Sequence, residues 1–95
     1  MKEDIFSNGR IEGEIIILSY KDNKINAKMV HNKVIVIDSL PINLLPLIFN
    51  SNGVIVETGS YMSHAAIFCR EVGIPLRRIE SALKKFKNKQ KIILN

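Results

Sequence analysis

The sequence has no tryptophan, a single cysteine, three prolines and only 6% aromatic residues. One cysteine, Cys69, excludes a disulfide framework and any multi-cysteine zinc site. The longest apolar runs are four or five residues, far short of the roughly 20 needed to span a bilayer. The first ten residues, MKEDIFSNGR, are acidic and polar where a signal peptide needs an apolar core. These absences point to a small protein of a reducing compartment, expected to be cytoplasmic and without a membrane partner. Neither a P-loop nor a metal-ligand cluster is present, so no metal site is expected on this chain.

What is present is globular. The chain has 95 residues, 46% apolar and 24% charged, which fits one small compact domain spanning 1–95. That length is too short for both a nucleotide site and a separate substrate site of ordinary size. Net charge is +5, with 14 Lys and Arg against nine acids. Five of the lysines fall in Lys84–Lys91 (KKFKNKQK), and the other nine cations balance the nine acids. The excess is therefore local. Such a run is ordinarily a solvated helix end and turn. Without aromatic interleaving or an arginine stripe, nucleic acid is not the expected partner, while docking on an acidic protein stays open.

Along the chain, Gly13–Ser19 (GEIIILS), Lys33–Asp38 (KVIVID) and Val54–Glu57 (VIVE) are β-branched runs bounded by polar residues, and read as buried strands. Lys21–Asn23 reads as a turn, and Lys24–Val30 is ambiguous. Leu40–Phe49 contains Pro41 and Pro46, which limits it to one short or kinked helix. A further helix should start near Ser63 and stop at Gly73, with Pro75 beyond it. Its residues 65–69 are apolar almost all round, predicting burial on most sides. Leu76–Lys87 is predicted as a last helix and Lys91–Leu94 as a last strand. Strands alternating with helices make the class α/β.

The chemistry concentrates at His64. A helix start offers unpaired N–H groups and about half a positive charge, which suits an anion. Ser60 and Ser63 add hydroxyls, Gly59 lets the backbone approach closely, and Ala65 keeps the surroundings small. Neutral imidazole has a free lone pair that can attack a phosphoryl group without a general base. Taken alone, however, a histidine near a helix start is ordinarily a surface or capping residue. The other histidine, His31, reads as an ordinary residue of a polar turn.

The run G-S-Y-M-S-H-A-A-I-F-C-R-E-V-G-I-P over Gly59–Pro75 is what changes that weighting. It resembles the phosphohistidine signature of the mobile, swivelling domain of phosphoenolpyruvate-utilising enzymes such as pyruvate phosphate dikinase, phosphoenolpyruvate synthase, enzyme I of the sugar phosphotransferase system and rifampin phosphotransferase. The resemblance extends more loosely to GRIEGEIIIL, KVIVID with the following LP, GVIVETGS and KQKIIL. It implies a swivelling β/β/α phosphohistidine domain in which His64 is phosphorylated and Gly59, Ser60, Ser63 and Ala65 surround the phosphoryl group. Arg70 and Glu71 are then expected to pair or pack the helix.

Ser60 stands where the family has a second glycine, Met62 where threonine is frequent, and Cys69 where alanine is usual. Cys69 reads as a buried small hydrophobe. After Pro75 the family continues into a strand. Here Leu76-Arg77-Arg78 leads almost at once into the lysines, as if about half a dozen residues were deleted, leaving Arg77 and Arg78 available to a partner or a phosphate.

The resemblance further implies that Mg²⁺ and ATP or phosphoenolpyruvate sit on partner domains, of ATP-grasp type or phosphoenolpyruvate/pyruvate-binding, with no cofactor on this one. The chain is expected to be a stand-alone phosphocarrier or a fragment of a larger enzyme, not a complete phosphotransferase. The alternative is a non-catalytic interaction or regulatory domain that keeps the scaffold. A homodimer that hides strand edges remains open.

Overall fold

The computed structural model describes residues 3–19 and 24–95; the turn expected at Lys21–Asn23 lies outside them. Four strands run parallel: β2 (Ile11–Ile17), β3 (Lys33–Ile37), β4 (Gly53–Val56) and β5 (Leu76–Ile79). β1 (Glu3–Ser7) pairs antiparallel with β5, and β6 (Lys91–Leu94) antiparallel with β2. The sheet order is β1-β5-β4-β3-β2-β6. All of β4 and all but the first residue of β3 are buried, as expected for central parallel strands covered on both faces. The six strands form a curled sheet in a small mixed α/β domain.

Each face of the sheet has its own core. One holds Phe6, Val30, Ile35, Ile37, Leu44, Leu45, Ile48, Val54, Val56, Ala66, Cys69 and Leu76. It is covered by α1 (Ala27–Val30), a 3₁₀ segment (Ile42–Asn50) and α2 (His64–Val72). The 3₁₀ geometry accommodates the two prolines: Pro41 precedes the segment and Pro46 lies inside it. The other core gathers Ile11, Ile15, Val34, Val36, Ile55 and Ile79 beneath Ala82, with Leu83 and Phe86 packed against it; Ala82 and Leu83 lie in the one-turn helix α3 (Ala82–Lys85). The ambiguous stretch before His31 resolves into α1, capped by the Asn26 side chain, which accepts the Met29 N–H at 3.1 Å.

Three sequence expectations are corrected. Residues 76–79 form a strand, not the start of a helix: Val54, Ile55 and Val56 of β4 present an unpaired side that Leu76, Arg77 and Arg78 complete in register. The strand after Pro75 is thus kept, and the helix following it shrinks to one turn. Helical periodicity in this segment came from Ile79, Leu83 and Phe86, all of which do face one core, but from a strand, a helix and a loop. β1, whose Glu-Asp start obscures its alternation, was not anticipated. Finally, α2 buries one face only; Ala66 and Cys69 are buried, while Ala65, Ile67 and Phe68 are half-buried.

Candidate functional site

Parallel strands place their C-terminal ends at one edge of the sheet, where open α/β folds leave a crevice. Here the chain leaves β3 through Asp38–Pro41 and leaves β4 through Glu57–Ser63. The Asp38 carbonyl ties the two exits together. It accepts the Glu57 N–H and the Thr58 N–H at 3.0 Å each, and the Thr58 hydroxyl at 3.1 Å. Between them lies an open cleft of about 290 Å³, lined by Ser39, Leu40, Pro41 and Ile42 on one side and Thr58, Gly59, Ser63, His64 and Ala65 on the other. Phe6, Val56 and Leu76 form its floor and contribute to the first core. Among the described residues, no carboxylate lines this cleft.

His64 is the first residue of α2, and it is exposed at the cleft wall. Ser63 is the N-cap; its hydroxyl accepts the Ala66 N–H at 3.1 Å, and its carbonyl accepts the Ile67 N–H at 3.0 Å. The cap uses the hydroxyl as an acceptor, so its O–H is free to donate. The N–H groups of His64 and Ala65 have no acceptor among the described residues, as the first turn of a helix dictates. The site therefore offers two backbone donors, a hydroxyl and the positive end of a nine-residue helix beside an exposed imidazole.

Gly59 has φ +131°, a conformation that an L side chain rarely adopts, and this turns the loop toward α2. The other end of α2 closes at Gly73, φ +79°; the Gly73 and Ile74 N–H groups both reach the Cys69 carbonyl.

The helix is anchored from its outer side. Arg70 donates to the Phe6 carbonyl at 2.9 Å, and its guanidinium lies 3.9 Å from the centre of the Tyr61 ring. Tyr61 meets Phe6 edge-on at 6.4 Å. One residue of β1, Phe6, thus supports both the cleft floor and the loop preceding His64. Cys69, fully buried on α2, has its thiol pushed up to about 11 by burial. It is a core side chain and not a thiolate nucleophile.

Of the residues singled out in the sequence, Gly59, Ser63, His64 and Ala65 converge on the cleft. Ser60 sits in the same loop but off the cleft wall, and what it supplies is its carbonyl, which accepts the Ser63 N–H at 3.1 Å. Arg77 is corrected. It points to the opposite face of the sheet, 1% exposed, and donates to the carbonyls of Ser7 and Gly9, with Glu3 beside its Nε at 3.4 Å. A cation so enclosed binds β1 and the following turn to β5 and has no surface to offer a phosphate. Arg78 is held by the Asp4 carboxylate of β1.

Missing from the sequence reading were Phe6, Thr58 and the Ser39–Ile42 wall. Thr58 sits in the quoted loop, but its bond to Asp38 joins residues 20 apart, and no local pattern announces such a pair.

Comparison with known proteins bears on the fold and the family. A solved solution structure of a UPF0107 protein superposes with a TM-score of 0.68 over 99% of this chain and 92% of that one, at 14% identity. Identity that low shows a shared fold and nothing more. No curated protein matches the chain. The family model of the mobile domain of phosphoenolpyruvate-utilising enzymes matches residues 29–95, a stretch that starts within α1 and takes in the whole cleft except Phe6. The chain belongs to the mobile-domain family of phosphoenolpyruvate-utilising enzymes, phosphohistidine-carrying swivelling domains in general.

Proposed function

We propose that this protein is a phosphohistidine carrier, in which His64 accepts a phosphoryl group at one partner active site and yields it at another. The observation that carries this reading is His64 exposed at the open start of α2, flanked by Gly59, Ser63 and Ala65. A lone pair of the imidazole attacks phosphorus, an N–P bond forms, and the P–O bond to the donor breaks with its electron pair on the leaving oxygen. The new phosphoryl oxygens then meet the Ala65 N–H, the Ser63 hydroxyl and the helix dipole. Transfer onward reverses these steps toward an acceptor oxygen.

Donor binding belongs to a partner of ATP-grasp or phosphoenolpyruvate-binding type, which would hold Mg²⁺ together with ATP or phosphoenolpyruvate. This chain supplies the carried histidine and no complete catalytic cycle. The test is intact mass after incubation with lysate of the source cells plus ATP or phosphoenolpyruvate, read at neutral and then at acid pH. An acid-labile phosphate on the native protein, absent from a folded His64→Ala variant, is the expected result. Labelling that survives His64→Ala would sink the assignment. No adduct with any donor would favour the rival reading of an interaction domain that retains the scaffold.

A further inference from the structure

The five lysines of 84–91 are not used by the His64 cleft, yet the fold starts their stretch, at α3, at the same end of the sheet; Lys89 and Lys91 run back along β2 toward Glu14. α3 follows β5 where the parallel strands end, and the Leu83 N–H is accepted at 2.9 Å by the carboxylate of Glu57, the residue that opens the His64 loop. From there residues 82–90 cross toward β2. Asn88 Oδ1 accepts the Ile17 N–H at 2.7 Å, Lys89 N–H donates to the Ile15 carbonyl at 2.9 Å, and Ile15 N–H donates to the Gln90 carbonyl at 2.8 Å. Lys89 holds φ +69° in this turn. The lysines thus sit on a stretch stitched to the sheet at both ends.

Their charges are largely uncompensated. The ion pairs among the described residues use Arg10, Lys33, Arg77 and Arg78, and none uses Lys84, Lys85, Lys87, Lys89 or Lys91. Lys89 and Lys91 reach Glu14, whose carboxyl is held below the usual range chiefly by Lys33 and secondarily by these two. Lys84, Lys85 and Lys87 are exposed and make no ion pair among the described residues. One acid, Glu80, lies in the stretch 79–91.

Resting on the phosphocarrier reading of His64, we propose that Lys84, Lys85 and Lys87 form a docking surface for an acidic protein surface bordering the active site that phosphorylates His64. Three of the five lysines that make up the chain's charge excess are gathered here, which makes the partner's complementary sign the physical expectation. The surface does not suit the other polyanions. It has no arginine, and its aromatic, Phe86, packs into the second core, leaving no ring for base stacking. None of the large exposed apolar side chains lies in 84–91, so nothing there would enter a lipid surface. Because the molecule is at most 28 Å long, a partner held at these lysines keeps its active site within a short swing of His64.

The test compares the native chain with K84E/K85E/K87E in two labelling reactions read by intact mass. Phosphoramidate, a small chemical donor, phosphorylates accessible histidine without any partner. Source-cell lysate with ATP or phosphoenolpyruvate supplies the enzymatic donor. The expected result is equal labelling by phosphoramidate, with lysate-driven labelling slowed about tenfold in the variant at low salt and the gap closing as salt rises.

Equal lysate rates for both chains at low salt would overturn the docking surface while leaving His64 as the acceptor. Phosphoramidate labelling without any lysate labelling would overturn it too, since no donor would be docking. A His64 that phosphoramidate cannot label would instead remove the underlying carrier reading. Salt-sensitive binding of a fluorescent duplex DNA, lost in the triple variant, would assign the lysines to nucleic acid and overturn the proposal.

Discussion

Two helices in this protein start at the same end of the sheet, and their first turns are treated in opposite ways. α3 follows β5, its preceding residue Ser81 has φ +59° and makes no side-chain cap, and the Glu57 carboxylate takes the Leu83 N–H. α2 follows β4, has a regular Ser63 cap, and leaves the His64 and Ala65 N–H groups open to a cleft with no carboxylate among its described lining residues. The first start is closed by the protein's own anion; the first N–H groups of the second meet no acceptor among the described residues.

The comparison can be broken by making α2 resemble α3. Ser63→Asp keeps an N-cap acceptor, so stability should change by about 0.5 kcal/mol or less. The added carboxylate repels an incoming phosphoryl group, and acid-labile labelling of His64 should fall about a hundredfold. Unchanged labelling, measured by intact mass on protein of native Tm, would mean that the open start of α2 is not where phosphate rests.

A second prediction separates the buried face of α2 from its N-terminus. The raised Cys69 thiol favours its neutral form in the folded state. Its stabilising contribution is full below pH 9, the ordinary value for this thiol, and is lost as pH rises through about 11. Denaturant titrations between these values should show stability falling by on the order of 2 kcal/mol. A Cys69→Ala variant should lose that part of the slope and still be labelled at His64. An identical slope in the variant would show that the thiol does not set it.

The smallest effect is expected at the closed start. Glu57→Gln weakens a charged hydrogen bond at α3 into a neutral one, costing about 1 kcal/mol by denaturant melting, with labelling of His64 by phosphoramidate unchanged. Loss of labelling in this variant would mean that Glu57 reaches the cleft and that the two helix starts are not independent.

Where the sequence was legible, the signals were local. Ser63, Gly73 and Pro75 mark the ends of α2 because capping and chain direction act within a turn, and the β-branched runs mark β3 and β4 because those strands are buried on both faces. The motif Gly59–Pro75 carried the resemblance, since its spacing is fixed by that same strand-loop-helix unit. The lysine excess of 84–91 was also plain, as a count. None of these readings needs a residue from elsewhere in the chain.

Tertiary structure decided the rest, because those features depend on partners far away in sequence. Leu76–Ile79 became a strand since β4 had an open side and β1 arrived to cover the other, two pairings that no helical or strand period in LRRI encodes. Arg77 was withdrawn from the surface by carbonyls of Ser7 and Gly9, 70 and 68 residues away. The cleft itself exists because Asp38 binds Thr58 and Phe6 enters beneath them. The sequence by itself singled out His64 as the candidate carrier of a phosphoryl group. Its neighbours Gly59, Ser63 and Ala65 came with the local motif. Long-range pairing decided the facing wall of Ser39–Ile42 and the Phe6 floor, because the entropy of bringing distant segments together is offset only by the assembled sheet.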